Sequence, residues 1–252
     1  AAALEHGEIV LLVQCGPDGS VLNETVTIAA GTVVPEPAVF DDLPADTECT
    51  VTEPTTGATE TVQVSTVLPE TVTIPAGDGT EATVTNTYTL APGSLAVTKS
   101  IAGEAAGQQG EVVLQVLCGP DGSVLNETVT IPAGTQEDVS TTFEDLPAGT
   151  ECAVSEPVSG ATTEVSVATD LPDPVTVPAG GSVAATVTNT YSFTPGTLVV
   201  TKVITGDAAG AQGEVVLRVR CGPDGTILDE TVSIPAGTTG NGSTGFEGLP
   251  TG

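Results

Sequence analysis

A chain of 252 residues with 33 acidic and only 4 basic side chains carries a formal charge of -29 along its whole length, which excludes phosphate backbones and anionic membrane surfaces as partners. Its 39% apolar content is Val-, Ala-, Leu- and Ile-rich, with no Trp and no Met, so it can build cores and favours strands. No apolar run approaches the roughly 20 residues of a membrane-spanning helix, so no membrane insertion is expected within this segment.

The N-terminal "AAALEH" has the look of a vector remnant but aligns with "EAAGQQ" at 104–109, so it reads as native sequence. It carries no signal peptide, and the chain reads as a mature piece or an internal fragment. From Cys15 onward a repeat organises everything. "CGPDGSVLNETVTI" at 15–28 recurs at 118–131, and "CGPDGTILDETVSI" begins at 221, a constant offset of 103 residues. Phe40, Phe143 and Phe246 keep that offset, as do Glu53 and Glu156, Asn86 and Asn189, and Lys99 and Lys202. A period near 100 residues is a domain, not a solenoid repeat.

The expected units are 1–92, lacking a first strand, 93–195, complete, and 196–252, the N-terminal half of a third; the chain reads as a window on a longer array. Short proline-containing links at "LAPGSL" (90–95) and "FTPGTL" (193–198) imply a semi-rigid rod. In the complete unit, alternation and turn signals place strands near 94–101, 110–118, 124–131, 138–144, 150–156, 162–169, 174–178 and 182–192. Eight short strands without a helical period predict an all-β chain of tandem immunoglobulin-like β-sandwiches.

The cysteines come one pair per unit, Cys15 with Cys49 and Cys118 with Cys152, while Cys221 has no counterpart. Cys118 shares a strand face with Val112, Leu114 and Val116, and Cys152 with Val154, so both thiols point inward. That suits a buried disulfide, contributing about 3–4 kcal/mol in the chain-entropy model and implying an oxidising, extracellular setting. A buried pair of free thiols is the alternative. One histidine in the chain cannot supply a zinc cluster, and no metal or cofactor is expected. His6, aligned with Gln109, reads as solvated.

Three polar residues sit where apolar ones belong. Lys99 shares its face with Leu95, Val97 and Ile101; Glu156 with Cys152 and Val154; Asn189 with Val183, Ala185, Val187 and Tyr191. An unpaired buried charge is costly, so these groups should meet. A lysine in the first strand, a glutamate closing "LPAGTECAVSE" (146–156) and an asparagine in "VTNTY" (187–191) resemble the Cna-B-type domains of Gram-positive surface adhesins and pilins, with a cysteine where those domains usually carry tyrosine. The whole unit is also similar to a domain family of unknown function repeated in actinobacterial surface proteins, through its "VTK", paired cysteines and "VTNTY".

That resemblance implies an intramolecular isopeptide bond. The Lys99 amine attacks the side-chain carbonyl of Asn189, Glu156 shuttles protons, and ammonia leaves. Burial disfavours the charged forms of both amine and carboxyl. A buried Lys–Glu ion pair bonded to the asparagine is the alternative. Glu53 and Asn86 form a partial set without a lysine, and Lys202 one without its asparagine.

"LPTG" at 249–252 aligns with "LPAG" at 146–149 and reads as a repeat turn, not a sorting signal. The sequons at Asn23, Asn126 and Asn241 and the Asp-Gly turns carry no site. With no nucleophile triad, carboxylate dyad or phosphate loop, no turnover enzyme is expected. The reading is a structural stalk or filament segment of an extracellular, cell-surface or cell-wall-associated protein, its partners being neighbouring repeats and lateral copies. The alternative is an adhesin repeat that itself binds a ligand.

Overall fold

The computed structural model describes residues 2–250, so the end of the "LPTG" turn lies outside the described residues. The first segment contributes β1 (Ile9–Cys15), β2 (Leu22–Ile28), β3 (Glu48–Thr56), β4 (Val62–Val67), β5 (Val72–Thr73) and β6 (Thr85–Leu90). The second contributes β7 (Gly93–Ala102), β8 (Val112–Cys118), β9 (Leu125–Ile131), β10 (Val139–Leu146), β11 (Glu151–Ser159), β12 (Val165–Asp170), β13 (Val175–Thr176) and β14 (Ser182–Phe193). The third contributes β15 (Gly196–Lys202), β16 (Val215–Cys221), β17 (Leu228–Ile234) and β18 (Gly242–Leu249).

Among the described residues the helical content is limited to three-residue 3-10 turns. Three of these are the Pro-Asp-Gly turns, whose Asp18, Asp121 and Asp224 hold φ of 54, 52 and 55°. Aspartate tolerates that left-handed conformation better than most residues.

The second segment is a two-layer sandwich. One sheet has the order β10-β7-β14-β12 and the other β13-β11-β8-β9. All pairings are antiparallel except β7 with β14, the first strand with the last, which run parallel. Alternation buries Leu95, Val97 and Ile101 of β7 and Leu114 and Val116 of β8 in one core. β-Branched residues suit these half-buried pleated surfaces.

The Cys118–Cys152 disulfide joins directly opposed residues of β8 and β11, so it staples neighbours within one sheet rather than the two sheets together. Cys15–Cys49 does the same between β1 and β3. Cys221 is a half-buried free thiol.

The first segment has sheets β2-β1-β3-β5 and β4-β6 but, among its described residues, no counterpart of β7. The consequences follow from lost pairing. Residues 36–43, which align with β10, form no strand, because β10 pairs only with β7. β6 starts at Thr85, six residues later than β14 does in repeat register, because 79–84 lack the partner that β7 gives 182–187. In the third segment β15 pairs with β18 and β16 with β17.

The joint between first and second segments is made of backbone. Ala91 N–H donates to Thr61 O at 2.9 Å on one side, and Ala91 O accepts from Gly180 N–H at 3.2 Å on the other. A Cβ at Gly180, whose φ is +62°, would fall 2.1 Å from Glu60 O, and one at Gly93 2.2 Å from Pro178 O. Only glycine allows backbones this close.

Candidate functional site

Lys99 lies on β7 opposite Val187 of β14, and Asn189 lies two residues further along β14 on the same inward face. Parallel pairing therefore sets the lysine and asparagine side by side in one sheet. Glu156 reaches them from β11 in the facing sheet. Lys99 and Asn189 are 0% exposed, and the Glu156 side chain 2%. The structure thus brings together Lys99, Glu156 and Asn189.

One carboxylate oxygen serves both nitrogens. Glu156 Oε1 is 3.0 Å from Lys99 Nζ and accepts from Asn189 Nδ2–H at 2.9 Å. Glu156 Oε1 is the ion-pair partner of Nζ, whereas Asn189 Oδ1 is buried with no hydrogen-bond partner. Each unsatisfied buried group costs about 1–3 kcal/mol, more when charged. Desolvation lowers the Lys99 pKa below its ordinary 10.5, with the Glu156 carboxylate opposing the shift.

Two hydroxyls outside the Lys–Glu–Asn set expected from sequence complete the site. Thr169, opposite Asn189 across the β12–β14 pairing, donates to Glu156 Oε2 at 2.8 Å. Tyr191 OH accepts from Asn189 Nδ2–H at 2.9 Å and donates to Ser159 O at 2.7 Å. Nδ2 also lies 3.1 Å from Ser159 O. Burial holds the Tyr191 pKa above the usual 10.0 and so keeps its proton on the ring oxygen; the Asn189 bond opposes this and the Glu156 charge adds to it. The signal for Tyr191 was its place on the inward stripe with Val187 and Asn189. For Thr169 it was the repeat of threonine at 66 and 169.

The first segment holds the same constellation without a lysine. Asn86 Nδ2–H donates to Glu53 Oε1 at 2.6 Å and Tyr88 OH at 3.0 Å, and Tyr88 OH donates to Thr56 O at 2.7 Å. Thr66 Oγ1 is 2.8 Å from Glu53 Oε2 and 2.9 Å from Asn86 Oδ1. Lys202 is half-buried on β15, with no glutamate or asparagine bonded to it among the described residues.

His6 departs from the expectation of solvation. It is 3% exposed and stacks on Tyr88 at 4.8 Å between ring centroids, with Nε2 3.0 Å from Thr32 O. Its counterpart Gln109 is equally buried and donates to Thr135 O. The position is a polar clasp tying the approach to β1 or β8 to the turn after β2 or β9, so it must be inside.

The described residues hold no group of three or more His, Cys, Asp or Glu side chains able to bind a metal ion. No helix among them is long and apolar enough to cross a membrane. Fold and site define an all-β chain of immunoglobulin-like sandwiches with a buried Lys–Glu–Asn cluster. The chain belongs to the family described as Domain of unknown function (DUF5979), copies of which match residues 1–89, 95–192 and 198–252.

No curated protein matches it. Among solved structures it is similar to a bacterial adhesin from Mobiluncus mulieris containing intramolecular disulfide, isopeptide and ester bond cross-links, at 16% identity over 75% of this chain and 86% of that one, TM-score 0.30. It is also similar to the major pilin T3.2 of Streptococcus pyogenes, at 13% identity over 75% and 92%, TM-score 0.28. The Bacillus anthracis TIE protein aligns at 15% identity over 96% of this chain and 44% of its own, TM-score 0.31.

Proposed function

We propose that the chain is a stalk segment of an extracellular surface protein of adhesin or pilus-like type, built from three successive units at 1–92, 93–195 and 196–252, and stapled in each complete unit by a disulfide and a Lys–Asn isopeptide bond. The observation that carries the crosslink is that Glu156 Oε1 lies within 3.0 Å of both nitrogens, the one that must lose a proton and the one that must gain it. The neutral Lys99 amine attacks Asn189 Cγ and the Nζ–Cγ bond forms. Glu156 takes a proton from Nζ and delivers it to Nδ2; the Cγ–Nδ2 bond then breaks and ammonia leaves. Desolvation of Lys99 favours the neutral nucleophile, and a closed site holds the reacting groups in place. The reaction runs once per unit and is not turnover.

Two in-sheet disulfides support an oxidising, extracellular setting. The surplus of acidic residues supports a soluble surface whose copies repel one another. The test is the intact mass of the full chain under reducing denaturation. The expected value is the sequence mass less one ammonia, with the unmodified sequence mass returning in Glu156→Ala, and a tryptic digest in which residues 1–202 stay uncut at Lys99. A wild-type mass with no ammonia missing would leave a buried ion pair and overturn the crosslink.

A further inference from the structure

We infer that Tyr191 OH and the Ser159 carbonyl, with Glu156, form a cradle for the departing ammonia, which makes Tyr191 a catalytic residue of the crosslinking reaction; the inference rests on the crosslink proposed above. The argument is a count of hydrogens. A carboxamide nitrogen carries two. Asn189 Nδ2 nevertheless faces three acceptors, Glu156 Oε1 at 2.9 Å, Tyr191 OH at 2.9 Å and Ser159 O at 3.1 Å. Tyr191 can only accept here, because its own proton is committed to Ser159 O at 2.7 Å.

In the ground state one acceptor is therefore surplus. Once the tetrahedral adduct has formed and Glu156 has delivered its proton, the nitrogen is pyramidal and carries three hydrogens, one for each acceptor. The site fits the leaving group better than it fits the starting amide, and binding of that kind lowers a barrier. The same acceptor set also fixes which way the carboxamide points. With Nδ2 held toward Glu156, the proton goes to the nitrogen that leaves. Asn86 repeats the arrangement, its Nδ2 meeting Glu53 Oε1, Tyr88 OH and Thr56 O, so the cradle recurs with the repeat.

The test is the rate of ammonia loss when the full chain, recovered unfolded, is refolded by dilution and its mass followed in time. Tyr191→Phe keeps the ring that fills the core and removes the hydroxyl, both the acceptor for Asn189 Nδ2–H and the donor to Ser159 O. It is expected to slow the loss by roughly tenfold or more, the worth of one hydrogen bond to a charged group. Fluorotyrosine in place of both tyrosines keeps the hydroxyl, weakens its lone pairs and is expected to slow the loss by a smaller factor. Folding is controlled in a Lys99→Ala background, where the Phe change should lower the unfolding midpoint only by the modest worth of the two lost hydrogen bonds, a loss measured separately from the rate. If Tyr191→Phe and the fluorinated chain crosslink at the wild-type rate, or slow only as far as the control loses stability, the cradle is overturned while the crosslink stands. A wild-type chain that never loses ammonia removes the crosslink itself.

Discussion

The first and second segments carry the same glutamate, asparagine, threonine and tyrosine at the same register, yet only the second is sealed. Asn189 and Tyr191 are fully buried, whereas Asn86 and Tyr88 are half-buried. The difference is one strand. β7 covers the site, brings the lysine and gives β10 its only partner. Residues 36 and 38, aligned with the half-buried Val139 and Thr141 of β10, stand exposed in the first segment. The threonine also shifts its loyalty. Thr66 approaches both Glu53 and Asn86 Oδ1, while Thr169 serves Glu156 alone and Asn189 Oδ1 is orphaned. Among the described residues, Glu53, Asn86, Thr66 and Tyr88 keep their mutual contacts with no lysine beside them, and in the second segment β7 brings Lys99 beside their counterparts.

The strongest way to break this comparison is to take the carboxylate from the sealed site. Glu156→Ala is expected to abolish ammonia loss and, by leaving the Lys99 amine buried alone, to cost the second segment about 3–5 kcal/mol in denaturant unfolding. The same change at Glu53 should cost far less, because its partners are neutral and half-open. Removing Cys118 and Cys152 together should cost about 3–4 kcal/mol without stopping the crosslink, since the β8–β11 pairing that places Glu156 continues beyond the disulfide to Val158 and Ser159; a mass still lacking one ammonia checks it.

The comparison is sharpened by addition. Fusing a copy of residues 93–103 directly before Ala1 restores the missing strand in repeat register. The expected mass then lacks two ammonias, and residues 36–43 gain slow amide exchange.

A smaller effect is set by pH. In Asn189→Ala the amine stays free, and burial holds its pKa below 10.5. The unfolded chain then binds more protons than the fold. Stability should therefore rise with pH between the lowered value and 10.5, and be least below that window. Lys99→Leu in the same background should flatten this slope in pH-dependent denaturation.

Much of the sandwich was legible because strand alternation and turn chemistry are local. The eight strands expected in the second segment appear as β7 to β14, although the one expected over 174–178 contracts to Val175–Thr176. Lys99, Glu156 and Asn189 were conspicuous because polar residues on an apolar face must find one another. What stayed hidden depends on register between distant strands. Nothing local says that β7 runs parallel to β14, that each disulfide lies within a sheet, or that Thr169 falls opposite Asn189. His6 was misjudged for the same reason, since only the fold shows that its loop closes over Tyr88.

The parallel pairing of β7 and β14 has one consequence for a chain under tension. Force enters at Gly93 and leaves at Phe193, shearing two neighbouring strands. With Lys99 joined to Asn189, the load crosses from one strand to the other after a few residues and bypasses everything between them. The disulfide at Cys118–Cys152 lies in that bypassed stretch. Reduction would then weaken the unit against heat or denaturant while leaving its contour length under load unchanged.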